Sequence, residues 1–187
     1  MRRSVRREVC ARPAVVGRAL DFNVMIILGI DTSLRSTGYG VLEVQGTRMR
    51  ALDYGNIRNA AKLPLTGCLR AIHAKVAELI SVHHPDVMAI EQVIYGKNAG
   101  TMLVLGEARG AVLTAAAAAG LPAYEYEPRR MKRAVCGNGL AEKEQIQRMI
   151  KTLLALPELP QNDAADALGL AICHANSHSI IVTDEPI

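Results

Sequence analysis

The hydrophobic positions of this chain alternate between short apolar runs and helical stripes. Residues 25–30 form a continuous apolar run, the pattern of a strand buried on both faces, and the run ends at Asp31. Segments 37–44 and 50–57 read as antiparallel partners around the turn signal Gln45-Gly46-Thr47, which predicts a three-stranded meander. Over 65–82, apolar residues recur at Leu69, Ile72, Val76, Leu79 and Ile80, a helical period that Pro85 stops. A second buried strand, 86–90, ends at Glu91, and the helix before it is the kind of crossover that joins parallel strands. An alanine-rich helix over 99–119 is closed by Gly120 and Pro122, and a fifth strand over 123–126 follows. Three more helices are expected: a short one from Pro128, a longer one over 141–154 and a last one over 162–175. The order βββαβαβ followed by helices predicts an α/β domain on a five-stranded mixed sheet flanked by helices.

Four acids interrupt this pattern where chemistry is easiest to place. Asp31 and Glu91 each close an apolar strand, and the C-terminal ends of strands are where open α/β sheets bind ligands. Either acid alone reads better as the first solvated residue of a loop, but adjacent strands would bring the two together. Asp163 and Asp166 are three apart, so a helix puts both on one face near its N-terminus. Acids there also cap free amides and favour the positive end of the helix dipole without any catalysis. Asp166, however, lies among Ala164, Ala165, Ala167 and Leu168, small residues that let a helix pack close to something. A carboxylate on that face is costly to bury unless it is paired or bound to a metal. Magnesium takes oxygen ligands and few carboxylates, so four convergent acids suit a pair of Mg2+ ions. In such a site one ion generates hydroxide for in-line attack on phosphorus and the other stabilises the leaving oxygen, which makes phosphodiester hydrolysis the expected chemistry.

Charge refines the picture only through its distribution. The 187 residues carry a net charge of +4, and the first 24 hold six arginines against Glu8 and Asp21, which is the whole excess. That stretch reads as a basic leader, disordered or the product of a start upstream of a natural one at Met25, before a domain over 25–178 and a flexible tail over 179–187. Between Pro128 and Lys151, seven basic side chains, Arg129, Arg130, Lys132, Arg133, Lys143, Arg148 and Lys151, face only Glu142 and Glu144. Such a patch either neutralises phosphates or is a solvated helix face. With 3% aromatic residues, backbone and shape reading of a duplex fits better than stacking on many bases. Four scattered cysteines predict reduced thiols in a cytoplasm. His174 and His178 fall in what reads as a polar tail, and no run looks long and apolar enough to span a membrane.

The strings Gly29-Ile-Asp31, Thr37-Gly-Tyr-Gly40, Ala89-Ile-Glu91-Gln-Val93, Lys97-Asn98, Gly106-Glu-Ala-Arg-Gly110, Ala141-Glu-Lys143 and Asp163-Ala-Ala-Asp-Ala-Leu168, in this order and spacing, resemble RuvC-type Holliday-junction resolvases from Met25 to about His178. The resemblance implies an RNase H-like fold and a homodimer. It implies a Mg2+-dependent crossover junction endodeoxyribonuclease, with Mn2+ able to substitute, that nicks opposing strands of four-way junction DNA symmetrically. It also implies delivery by a branch-migration helicase complex of the RuvA-RuvB type. Asp31, Glu91, Asp163 and Asp166 match the acidic, metal-binding tetrad, and Lys132 and Lys143 match basic positions associated with DNA. Arg129, Arg130, Arg133 and Lys97 are further DNA-contact candidates. Two departures stand out: Thr32-Ser33-Leu34 replaces a common Pro-Gly-Ser, and Ile94 stands where an aromatic wedge is usual, so Tyr95 is expected to supply the stacking. Two other readings are an actin- or sugar-kinase-like phosphate-binding domain, which also opens on a Gly-Ile-Asp strand, and a catalytically silent junction-binding protein.

Overall fold

The first apolar run becomes the centre of the sheet. In the computed structural model, which describes residues 24–93, 98–178 and 185–187, β1 (Val24–Asp31) pairs antiparallel with β2 (Ser36–Gln45) and parallel with β4 (Val87–Glu91). Flanked on both edges and covered on both faces, Ile27, Leu28 and Ile30 have no accessible surface. The outer strands are β3 (Arg48–Arg58), antiparallel to β2, and β5 (Ala123–Tyr126), parallel to β4, which gives the order β3-β2-β1-β4-β5. Asp86, expected as strand, sits one residue outside β4, and its carboxylate accepts from the Ile26 amide at 2.8 Å.

Five helices cover the two faces. On one lie α1 (Leu65–His83) and α2 (Ala99–Ala118), whose Ile72, Val76, Leu79 and Val112 meet Ile26, Leu28, Ile30 and Val41. On the other lie α3 (Pro128–Cys136), α4 (Lys143–Leu153) and α5 (Asn162–His178), packed with Ile27, Leu42, Ala89 and Tyr126. The α4 helix starts at Lys143 rather than at 141 because Glu142 and Gln145 form a reciprocal capping box.

The approach of α5 to the sheet is set by missing side chains. A Cβ on Gly29 would stand 1.9 Å from the Ala167 carbonyl oxygen, and one on Gly38 would stand 2.0 Å from that of Asp163. Only glycine lets helix backbone rest on strand backbone this way.

Two expectations are corrected, and the departure after Asp31 is accounted for. His174 belongs to no polar tail: it is 1% exposed inside α5, with Nδ1 2.7 Å from the Tyr126 hydroxyl. The α2 segment does reach the length and hydropathy of a membrane span, 20 residues at mean hydropathy 1.2. Here one face of it packs beside α1 over the sheet and buries the cation of Arg109 against Glu125. The turn after Asp31 needs no glycine. The Ser33 hydroxyl accepts from the Ser36 amide at 3.2 Å, the Thr37 hydroxyl accepts from the Ser33 amide at 3.3 Å, and no residue of this turn has positive φ. The basic leader up to residue 23, Tyr95 and Lys97 lie outside the described residues, as does most of the expected tail.

Candidate active site

The strand register brings the first two acids together. Ile30 of β1 is level with Ile90 of β4 in a parallel pair, so the next residues, Asp31 and Glu91, leave the sheet side by side at its C-terminal rim. On the other side of β1, Asp31 pairs with Gly38 of β2. Because Gly38 has no side chain, the first turn of α5 lies directly over it and carries Asp163 and, one turn on, Asp166 to the same rim. All four acids are half-buried.

Their proximity is visible in their electrostatics. Burial, then the charges of Glu91, Asp166 and Asp163, push the Asp31 carboxyl up to about 8, with Lys143 opposing. Burial and then Asp166 raise Glu91, against Lys132, Arg109 and Lys143. Asp166 is pushed up to about 6, mainly by burial and with Asp163 adding to it, while Lys143 and Lys132 pull the other way. These carboxyls are harder to ionise than free ones because negative charge is gathered where little water reaches. An oxygen-only donor set with uncompensated charge fits a hard divalent cation. Among the described residues, no three His, Cys, Asp or Glu side chains close round a single point. Two ions sharing four acids need no such trio, since water and phosphate complete each shell.

The basic residues divide into two groups. Lys132 and Lys143 both act on Glu91 and Asp166, so they lie near the acids. Lys132 is anchored by donating to the Ala141 carbonyl at 2.8 Å, and Lys143 opens α4 immediately after the capping residue. Arg129, Arg130 and Arg133 line a cleft of about 560 Å³ together with Gln92, which follows Glu91. Arg130 has a structural part as well: its guanidinium lies 4.9 Å from the Tyr126 ring centre and donates to Ser177.

Sequence reasoning missed three contributors. Arg109, 8% exposed, donates to the Glu91 carbonyl at 2.7 Å and pairs with Glu125, fixing the end of β4. Its string, Gly106-Glu-Ala-Arg-Gly110, was in view, but nothing local says that a helix arginine reaches a strand end 18 residues earlier. Ser36 and Asn56 both bond Asp163 across the meander, and no pattern in the sequence marked either.

A family model for crossover junction endodeoxyribonuclease RuvC matches residues 27–174. The chain belongs to the RuvC family. The crossover junction endodeoxyribonuclease RuvC of Vibrio parahaemolyticus is 52% identical over 157 residues, 84% of this chain and 90% of that protein. The structure matches that of Thermus thermophilus RuvC with a TM-score of 0.78 at 33% identity, over 87% of this chain and all of that one. It matches T. thermophilus RuvC in complex with Holliday junction substrate with a TM-score of 0.80, also at 33% identity, over 87% of this chain and 99% of that chain. The RNase H-like fold expected from the resemblance is therefore the fold of this chain, and membership of the RuvC family sets aside the actin- or sugar-kinase-like reading.

Proposed function

We propose that this chain is a Mg2+-dependent endonuclease that resolves four-way DNA junctions by paired symmetric nicks, in recombination and repair. One observation carries the reading: two parallel strands deliver Asp31 and Glu91 side by side, beneath the helix turn that carries Asp163 and Asp166. These four carboxylates would hold two Mg2+ ions, with Mn2+ able to substitute, and bound metal would supply an activated water and charge neutralisation at the scissile phosphate. The chain's own residues do the rest. The carboxylates orient the attacking water and exclude wrong geometries. Lys132 and Lys143 draw the phosphate backbone to the rim, and Arg129, Arg130 and Arg133 extend that contact along the neighbouring cleft. Outside the described residues, Lys97 adds a phosphate contact and Tyr95 stacks at the junction; unchanged junction cleavage by Tyr95→Ala would sink the stacking role.

The enzyme works as a cytoplasmic homodimer whose two sites match the two-fold substrate, loaded by a branch-migration complex of the RuvA-RuvB type. The face of α2 supports the dimer: most of this apolar helix is uncovered in the single chain, and Leu103 is 66% exposed. Leu103→Glu is expected to yield monomers in sedimentation; an unshifted dimer would place the interface elsewhere.

The deciding experiment is cleavage of a mobile four-way junction with and without Mg2+, comparing the wild type with Asp31→Asn. Paired nicks that need the metal and vanish in the variant support the reading. Tight junction binding without nicks would leave a silent junction binder.

A further inference from the structure

The four acids are not held alike. Among the described residues, Asp163 alone of the four is gripped by neutral donors from the meander. The Asn56 amide nitrogen, on β3, donates to Asp163 Oδ2 at 2.7 Å and to the Ser36 hydroxyl oxygen at 2.9 Å, and the Ser36 hydroxyl donates to the same Oδ2. The directions are fixed by chemistry. An ionised carboxylate only accepts, so the amide must turn its nitrogen toward it, and Ser36 spends its single hydrogen on Asp163 while accepting from Asn56. Among the described residues both bonds to this carboxylate therefore converge on one oxygen. The amide holds this pose although its own Oδ1 is buried without a partner, an arrangement that costs free energy and persists because the two donor bonds outweigh it.

We propose that Ser36 and Asn56 are positioning residues that make Asp163 a one-oxygen metal ligand, with Oδ2 locked and Oδ1 presented to the ion. The inference rests on the reading of Asp163 as a metal ligand. A carboxylate free to rotate can chelate through both oxygens or swing away from the crowded acids Asp31 and Asp166, with which it is electrostatically coupled. Donors on Oδ2 remove both options and keep the free oxygen at one angle before metal arrives. Partners of this kind behind a metal ligand are worth on the order of 10- to 100-fold in metal affinity. Sheet geometry makes the pair possible. Ser36 opens β2, and Asn56 on β3 pairs with Gly38 of β2, so both flank the spot where the first turn of α5 touches the sheet.

The test uses the full-length protein with Ser36→Ala, Asn56→Ala, Ser36→Thr and Asp163→Asn. Three quantities are measured: Mn2+ binding without DNA by electron paramagnetic resonance, the Mg2+ concentration for half-maximal junction cleavage, and junction affinity in chelator. Ser36→Ala and Asn56→Ala should weaken Mn2+ binding and raise the half-maximal Mg2+ concentration about 10-fold. Junction affinity in chelator should stay within about twofold, and Ser36→Thr, which keeps the hydroxyl, should recover most of the metal affinity lost in Ser36→Ala. If Asp163→Asn weakens metal binding while neither alanine variant does, the positioning role is overturned and the ligand reading stands. If Asp163→Asn leaves metal binding and cleavage unchanged, Asp163 is no ligand and both fall.

Discussion

On the α1/α2 face, the sheet presents Ile26, Leu28, Ile30 and Val41 to helices that answer with Ile72, Val76, Leu79 and Val112. On the α5 face, Gly29 and Gly38 meet bare backbone at Ala167 and Asp163. The first contact is made of flexible aliphatic side chains, which re-pack when one of them changes. The second is a distance between two main chains, and nothing in it can give. The acids of the candidate site belong to the second kind, since Asp163 sits in the very turn that touches Gly38. Bulk packs both faces, but on the α5 face close main-chain contact is added and carries the acids.

The sharpest way to break this contrast is Gly38→Ala. Its methyl must push the first turn of α5 away, and displacing catalytic groups by about 1 Å costs on the order of 100-fold in rate. A loss of at least that size is expected in single-turnover junction cleavage per folded molecule; a wild-type rate would show that the contact is not what fixes the acids. The matching change on the far face is Leu79→Ala, at 1% exposure. It should lower stability by about 2–5 kcal/mol in urea unfolding, while the folded fraction cleaves within about threefold of wild type.

The two faces should also answer pH differently. The folded protein holds protons on Asp31, up to about 8, and on Asp166, up to about 6, which the unfolded chain has already released. The native state thus binds more protons, so stability falls as pH climbs from the ordinary carboxylate range to about 8. Without metal, the melting temperature is expected to drop by several degrees from pH 5 to pH 8. Asp31→Asn should remove much of that drop, and Mg2+ should reverse it at pH 8 by taking the place of the protons. The Leu79→Ala difference from wild type should be flat over the same range. The smallest effect is assigned to Gly46→Ala, in a turn with φ of +59° and nothing within 4 Å. It should cost only about 1–2 kcal/mol, from backbone conformation alone, and leave cleavage untouched. That would separate the strain of a left-handed residue from the steric exclusion at Gly38.

The elements were legible because both strand and helix periods are strong here, and bounds moved by one to three residues, at the start of α4 because of the Glu142 capping box. The acids were legible because strands that end in carboxylates, and an Asp pair at helical spacing, are patterns within a few residues. What holds those acids was not. Arg109 reaches Glu91, and Asn56 reaches Asp163, across 18 and 107 residues of chain, and only the folded topology makes those pairs neighbours. The apolar length of α2 went unseen, and by hydropathy it looks the same whether protein or lipid lies against it; His174 was misplaced because one histidine near a polar stretch does not reveal that the helix beneath it is core.

The buried Arg109 also bears on the order in which the chain can assemble. Its guanidinium is held by the Glu91 carbonyl, which precedes it, and by the Glu125 carboxylate, which follows it by 16 residues. Docking α2 before β5 is in place would put a cation into the interior with half its partners missing, at a cost of several kcal/mol. The seating of α2 and the addition of β5 should therefore occur as one cooperative event. In hydrogen exchange, amides of α2 and β5 are expected to gain protection at the same time during refolding, and Glu125→Gln should delay both together.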